Sequence, residues 1–356
     1  MARKRRMVIL AEGNFSPLRS KTANGAIVYL RDEVVGIIDS TKASKTAQDV
    51  LGYGRDIPVF GTLEECLRYG KERALKTNTL LIGIAPAGGR LPESWLSTLR
   101  SAIRHRLDII SGLHTFISDN EELVKLAKKY GVKISDLRRI PKSHEVVAKG
   151  TWRTRRAKTI LSVGSDCNVG KMTTTLQVHN DFLHRGLKSD FVATGQTGML
   201  IRGRGIAVDS IISDYVAGCI EREMDRSERE GYDYIFVEGQ GALTHMGYSG
   251  VTLGLMHGVM PDAMILCHQP TRLEDDYGLQ IPNLKKLVEI HEQVINIFRP
   301  SKVVCIGLNS IGLTDEESKE AAKAIEGETG LPTLDTFRFG GRKLADAVLN
   351  YFSNND

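Results

Sequence analysis

Through residues 1–140, short apolar runs alternate with stretches of helical spacing. Met7–Ala11 is an apolar run of strand length, and Ser20–Leu30 repeats its apolar positions with a helical period. "EVVGIIDS" (33–40) is β-branched and apolar and ends on Asp39. "IPVFGTLEECLRYGKERA", from Ile57, predicts a short strand and then a helix N-capped at Thr62, with Glu65 as its capping-box partner. "TNTLLIGIAP" (77–86) predicts a buried strand, and "PESWLSTLRSAIRHR" (92–106) an amphipathic helix with Pro92 near its start. "LDIISGL" (107–113) predicts a further strand, and "DNEELVKLAKKYG" (119–131) a helix closed by Gly131. Apolar strands separated by helices predict a parallel sheet covered on both faces.

"RRIPKSHEVVAKGTWRTRRAK" (138–158) breaks the alternation, being polar and basic with Pro141 inside it. The expected division is a Rossmann-like domain over 1–140, a linker over 141–157 and a second domain over 158–356. In that second part "KTILSV" (158–163) is a strand, Gly164–Lys171 a loop, and Met172–His184 a helix with apolar positions 172, 176 and 183, and 178 and 182. "YDYIFVEGQGAL" (232–243), "AMILCHQP" (263–270) and "KVVCIGLNSIGL" (302–313) read as further strands with polar tips. "DFVATGQTGMLIRGRGIAVDSIISDY" (190–215) begins as a strand and continues as a glycine loop with Gln196, Thr197, Asp209 and Asp214. The fold class is therefore α/β, with two doubly wound, mainly parallel sheets.

Composition narrows the setting. A chain of 356 residues exceeds one ordinary core, and 41% apolar with 26% charged residues is ordinary for a globular protein. No apolar run reaches the roughly 18 residues of a membrane span, so a cytoplasmic protein without a membrane partner is expected. The net charge of +5 owes much to two clusters, Arg3-Lys4-Arg5-Arg6 and Arg153-Arg155-Arg156-Lys158. Neither is interleaved with stacking aromatics, so both read as solvated segments rather than nucleic-acid contacts. Cys66, Cys167, Cys219, Cys267 and Cys305 are scattered, which fits reduced thiols and gives no zinc spacing. No G-x-G-x-x-G follows the first strand, so NAD is not expected, and Asp39 reads as a helix cap rather than a ribose ligand.

The chemistry concentrates between Gly164 and Thr173. Strand, glycine loop and helix in this order suit a phosphate cradle of backbone N–H groups, with Lys171 as a point charge for the outer phosphates. Gly164, Ser165, Asp166, Asn168, Val169, Gly170, Lys171, Met172 and Thr173 are the expected cofactor-binding residues. The loop "GSDCNVGKM" resembles the "G-T-D-x-x-V-G-K-T" loop of dethiobiotin synthetase and cobyric acid synthases. Asp166, Val169, Gly170 and Lys171 match, and Met172 departs where that family has a Mg²⁺-holding hydroxyl. Thr173 then becomes the candidate hydroxyl ligand, with Glu238 at its strand tip and Asp209 as carboxylate ligands; Asp209 reads equally as a helix cap. The same resemblance makes Asn309 a candidate adenine contact, against the reading of an Asn in a turn. Cys167 at a helix N-terminus reads as a small residue facing the loop more readily than as a reactive thiol. The stretch 239–263 is glycine-rich and carries His245 and His257, candidate general bases beside Lys171 in the catalytic set.

The first half also resembles the CoA-binding domain of succinyl-CoA synthetases, through "IPVFGTLEECL", "LLIGIAP" and "LDIISGL". Across the whole chain, "LAEGNFSPLRSKTA", "GSDCNVGKMTTT", "FVATGQTGMLI", "VEGQGAL", "YSGVTLGLMHG" and "LCHQPTR" are similar to a bacterial and archaeal two-domain family, Rossmann-like then P-loop. That family includes D-glutamate N-acetyltransferases that use acetyl-CoA. Three functions stay open. One is an ATP- and Mg²⁺-dependent enzyme acting on a small carboxylate. Another is an acetyl-CoA-dependent N-acetyltransferase of D-glutamate or a similar acidic D-amino acid, with Arg90, Arg202 or Arg204 holding substrate carboxylates. The third is a non-catalytic nucleotide-binding regulator. A homo-oligomer acting on a small molecule is expected.

Overall fold

The computed structural model describes residues 4–84, 86 and 89–354. The first sheet has Met7–Leu10 (β1) near its centre. Val34–Ile38 (β2) and Val59–Phe60 (β3) lie to one side; Thr79–Ile82 (β4), Asp108–Ser111 (β5) and Ile134–Asp136 (β6) lie to the other. All of its pairings are parallel, in the order β3-β2-β1-β4-β5-β6. That is the Rossmann order, and it arises because each helix returns the chain to the same sheet edge. β1 and β4 are wholly buried, which explains why they are apolar throughout rather than alternating. Gly36 in β2 leaves room for the Phe60 ring, since a Cβ there would stand 2.6 Å from it.

The second sheet consists of Lys158–Gly164 (β7), Ser189–Val192 (β8), Tyr234–Val237 (β9), Ala263–His268 (β10), Lys302–Leu308 (β11) and Thr333–Leu334 (β12). Its order is β12-β11-β10-β7-β9-β8, again all parallel. The carboxyl ends of β7 to β11 consequently share one edge, and the segments that follow them meet there. A core of Ile160, Val178, Phe182, Phe236, Ile265, Leu344 and Val348 fixes helices Lys171–His184 and Arg342–Ser353 on one face.

The chain forms two compact units. One takes the chain up to Ile140 together with Met199–Gly203; the other takes Pro141–Gly198 and the chain from Arg204 onward. Residues 141–157 belong to the second unit and are held by helix Ser213–Arg229. The Glu221 carboxylate accepts from the N–H groups of Lys149 and Thr151, and Arg155 pairs with Asp225 at 3.1 Å. Neither basic cluster is therefore simply solvated. Arg155 is buried in that pair, and Arg5 pairs with Glu33 while Arg6 donates to the Asp32 carbonyl. Arg3 lies outside the described residues.

Several local readings change: the glycine-rich stretch 239–263, expected as a loop, contains the helix Ser249–Val259. The glycine loop expected after β8 contains a helix, Gln196–Arg202, and β6 had no counterpart in the sequence pattern. The capping box is incomplete: Thr62 Oγ1 accepts from Glu65 N, but the Glu65 carboxylate accepts from Gly61 N at 2.9 Å, one residue before the cap, and not from Thr62 N. Asp39 is fully buried and occupied on both oxygens, accepting from Phe15 N at 2.9 Å and Thr41 N at 3.0 Å. It ties the β1 loop to the β2 tip, a structural duty at the place where a dinucleotide fold presents its ribose acid.

Candidate functional site

β7 ends at Gly164 and the helix begins at Lys171, so Ser165–Gly170 turn within one sheet edge. The turn uses positive φ at Asn168 (57°) and Gly170 (96°). Gly170 also lies against Asn309, where a Cβ would stand 3.4 Å from the Asn309 Cβ. Ser165 N donates to the Cys267 carbonyl at 2.9 Å, which continues the β7–β10 ladder into the loop. Lys171 is buried, and its Nζ donates to the Asp166 carbonyl oxygen at 2.8 Å. Gly164 is required by that close approach, since a Cβ would stand 2.8 Å from Nζ and 2.9 Å from the same carbonyl oxygen. A lysine ammonium beside the open N-terminus of a helix is a donor set that fits phosphate oxygens. Val169 is fully buried and Met172 nearly so, which makes both part of the loop's support. Thr173 is half-buried in the first helical turn.

Asp166 anchors the loop. Its Oδ1 accepts from Cys167 N at 2.6 Å, and Arg272 Nε lies 2.7 Å from its Oδ2. Arg272 belongs to the segment after β10, pairs with Asp276 at 2.6 Å and donates to the Cys167 carbonyl at 3.4 Å. His268, at the tip of β10, places Nδ1 2.9 Å from Ser165 Oγ. Burial pushes the His268 imidazole down to about 4, so it is neutral at pH 7. Neither Arg272 nor His268 was among the residues expected from sequence.

His245 reaches the loop from the segment after β9. Its ring is buried, stacked on Tyr248 with centroids 4.7 Å apart and tilted against Tyr277 at 5.3 Å. Nδ1 accepts from Gly247 N at 3.2 Å, which in a neutral ring leaves the hydrogen on Nε2. Nε2 points toward Asp166 Oδ1 at 4.0 Å and has no hydrogen-bond partner. His257 is not brought to the loop. Its ring packs edge-on against Phe298 at 5.3 Å near the end of helix Ser249–Val259, and burial lowers its pKa. Met260, just beyond, lies at Thr159, the start of β7, whereas the loop follows its end.

The three expected magnesium ligands have other surroundings. The Glu238 carboxylate is buried, and its Oε2 accepts from Thr194 N at 3.0 Å and Gly195 N at 3.1 Å. Asp209 is exposed on a 3-10 turn and accepts from Ser210 Oγ at 3.5 Å. Glu238 is thus already bonded to two backbone N–H groups, for which a cation beside the loop would have to compete. Among the described residues one cluster has metal-ligand proximity, Asp166, Cys167 and His245, with candidate atoms within 4.8 Å. It fits a cation poorly. Nε2 carries hydrogen, the Cys167 thiol is raised by burial, and Arg272 already sits on Asp166. The raised thiol also supports Cys167 as a small loop residue.

Asn309 donates from Nδ2 to the Asn168 carbonyl at 3.3 Å, so its amide bonds to the loop itself. Arg204 pairs with Asp190 at 2.5 Å and Glu230 at 2.6 Å, which removes it as a free carboxylate ligand. Arg90 is exposed in the first unit. A cavity of about 10 Å³, the room of one water-sized group, is lined by Ser165, Asp166, Thr244, His245, Asp275 and Gln280 among others.

Comparison with known proteins agrees with this architecture. A family model described as "Domain of unknown function (DUF1611_C) P-loop domain" matches residues 146–345. A second, "Domain of unknown function (DUF1611_N) Rossmann-like domain", matches residues 40–140. A protein named D-glutamate N-acetyltransferase from Tritonibacter scottomollicae is 39% identical over 292 residues, 81% of this chain and 84% of that protein. Another of the same name from a Pseudoalteromonas species is 34% identical over 269 residues, 75% and 80% of the two chains. The crystal structure of a DUF1611 family protein from Anabaena variabilis superposes with a TM-score of 0.90 at 34% identity, covering 97% of this chain and 99% of that one. Among the described residues no helix is long and apolar enough to cross a membrane.

Proposed function

We propose that this chain, which belongs to the DUF1611 family, transfers an acetyl group from acetyl-CoA to the amine of D-glutamate or a similar acidic D-amino acid. The observation that carries the reading is the pair of relatives bearing that activity's name, 39% and 34% identical over 81% and 75% of the chain. The site is compatible with it. CoA carries a diphosphate and a 3′-phosphate, and the loop from Gly164 to Thr173, with Lys171 as its cation, offers the donors that phosphates need. An acetyl thioester is already activated, so its aminolysis needs no metal. This agrees with a Met172 that lacks a hard donor and a Glu238 held by backbone N–H groups. ATP with Mg²⁺ acting on a small carboxylate ranks second, because it asks Thr173, Asp209 and Glu238 to serve a cation. A non-catalytic regulator ranks third. The same proposal includes a cytoplasmic homo-oligomer that acts on a small molecule and uses neither nucleic acid nor NAD.

The test is a thermal-shift comparison of acetyl-CoA, ATP–Mg²⁺ and NAD, followed by thiol release from acetyl-CoA in the presence of D-glutamate. Stabilisation by acetyl-CoA and one thiol per N-acetylated product are expected. Stabilisation by ATP–Mg²⁺ with ADP release on adding an acid, and no thiol release from any acidic D-amino acid, would put the ligase reading in its place.

A further inference from the structure

We propose that Arg272 is a positioning residue whose charge lets the loop from Gly164 to Thr173 accept an anion: it neutralises Asp166, so that the cofactor's phosphates do not meet a bare carboxylate. The proposal rests on the reading that this loop holds those phosphates, whether they belong to CoA or to ATP.

An acid stands inside what is otherwise an anion cradle. Asp166 lies between Gly164 and Lys171, and its side chain is buried. Oδ1 accepts from Cys167 N at 2.6 Å, which withdraws one of the loop's N–H groups from a ligand. Oδ2 is also buried and takes no hydrogen bond among the described residues; the Arg272 guanidinium faces it, with Nε at 2.7 Å. The pair is therefore a contact of charges more than an aligned hydrogen bond. His245 lies farther off, with Nε2 4.0 Å from Oδ1. Away from water, charges a few ångströms apart are little screened, so a carboxylate without its counter-charge would repel an incoming phosphate. Lys171 and Arg272 against the one buried Asp166 leave the cradle positive; without Arg272, Lys171 and Asp166 would cancel. The other acids beside the loop count for less, since Asp276 is exposed and Asp275 partly so.

Arg272 is held where this duty needs it. It follows the tip of β10, and its N–H donates to the Gln269 carbonyl at 3.0 Å. It stands at the base of a short antiparallel hairpin, in which Ile281 N donates to the Leu273 carbonyl at 2.8 Å and Asp275 N to the Leu279 carbonyl at 2.9 Å. Its fork is divided among three partners: Nε faces Asp166, Nη1 donates to the Cys167 carbonyl at 3.4 Å, and Nη2 pairs with Asp276 at 2.6 Å. Lysine in this place would keep the charge and lose the fork, and glutamine would lose the charge.

Titration calorimetry of the whole protein with acetyl-CoA, and with ATP–Mg²⁺, tests this. Arg272→Gln is expected to weaken binding by about 30-fold or more, and Arg272→Lys by less than about fivefold. Adding Asp166→Asn to Arg272→Gln removes the bared carboxylate, and is expected to bring affinity back to within about fivefold of wild type. In turnover assays the Arg272→Gln loss is expected in the KM for acetyl-CoA, with kcat and the KM for D-glutamate within about threefold of wild type. An arginine that only braces the loop predicts the reverse: lysine and glutamine fail alike and the second substitution deepens the loss, and either result overturns the proposal. Should Arg272→Gln not fold, the other two variants still decide, since binding more than about tenfold weaker than wild type in both overturns it. Wild-type protein that binds neither ligand sinks the phosphate reading of the loop and the proposal with it. Wild-type protein that binds ATP–Mg²⁺ alone sinks only the acetyl-transfer reading, and the same variants then decide with ATP–Mg²⁺.

Discussion

Lys171 bonds to its own loop, with Nζ on the Asp166 carbonyl oxygen. A phosphate oxygen is a charged acceptor and therefore a stronger one than a carbonyl, so cofactor binding is expected to draw the ammonium off that carbonyl. Lys171→Ala should weaken acetyl-CoA binding by roughly 10- to 100-fold, the worth of one hydrogen bond to a charged group, while leaving the circular dichroism spectrum unchanged. Titration calorimetry checks this, and wild-type affinity in the variant would remove the loop from the binding site. Gly170 and Lys171 were legible in sequence because a glycine loop between strand and helix is a local signal. His268 and Arg272 were not, although they touch Ser165 and Asp166. Each lies about a hundred residues from its partner in the chain, and only the placement of β10 beside β7 brings them together. The signal that would have found them is positional: polar residues just past the tip of the strand that neighbours a P-loop strand.

At the scale of elements, most strands, most helices of the first unit and the helix after the glycine loop announced themselves, because their burial pattern and their caps agree, whereas the helices beyond His184 were not read from the sequence. Asn120 caps its helix by accepting from Leu123 N, and Gly131 closes it at φ 67°. The helix Gln196–Arg202 was missed because "GQTGMLIRGRG" is glycine-punctuated, and glycine lowers helix propensity by about 1 kcal/mol. The structure gives the reason for one of those glycines. A Cβ on Gly198 would stand 2.3 Å from Glu238 Oε2, the oxygen that takes the N–H groups of Thr194 and Gly195. Gly198→Ala therefore sets a propensity gain of about 1 kcal/mol against overpacking of about 1–3 kcal/mol and strained bonds to a buried carboxylate. The clash should win, giving net destabilisation in urea unfolding. A stabilised variant would mean that Glu238 moves aside freely and is not fixed in its place. β6 was missed for another reason: three half-buried residues are too few to show a period.

At the scale of the whole molecule, the parallel order of each sheet was legible as a class from strand–helix alternation, while the return of Met199–Gly203 to the first unit was not, since nothing local marks it. The unit structure makes a stability prediction separable. Each unit holds one of the chain's two tryptophans, Trp95 in the first and Trp152 in the second, so a Trp95→Phe variant reports the second unit alone. That unit contains His268 and His291, both lowered by burial to about 4. His291 is fully buried, its Nδ1 is 2.7 Å from the Leu287 carbonyl oxygen, and its Nε2 has no partner. The unfolded imidazole binds a proton below about 6.5, whereas the folded one resists until about 4, so the unfolded state holds more protons in between. Stability is therefore full above about pH 6.5 and falls as pH drops toward 4, by roughly 2–3 kcal/mol for each histidine. Urea unfolding followed by Trp152 emission should show a clearly lower free energy at pH 5 than at pH 7.5. His291→Leu should flatten that slope by its own share, because leucine fills the buried site without a proton to gain. Paired carboxylates lose their stabilising charge mainly at lower pH, so a slope that His291→Leu leaves untouched would mean that water reaches His291 and that its burial does not govern the acid limit of the second unit.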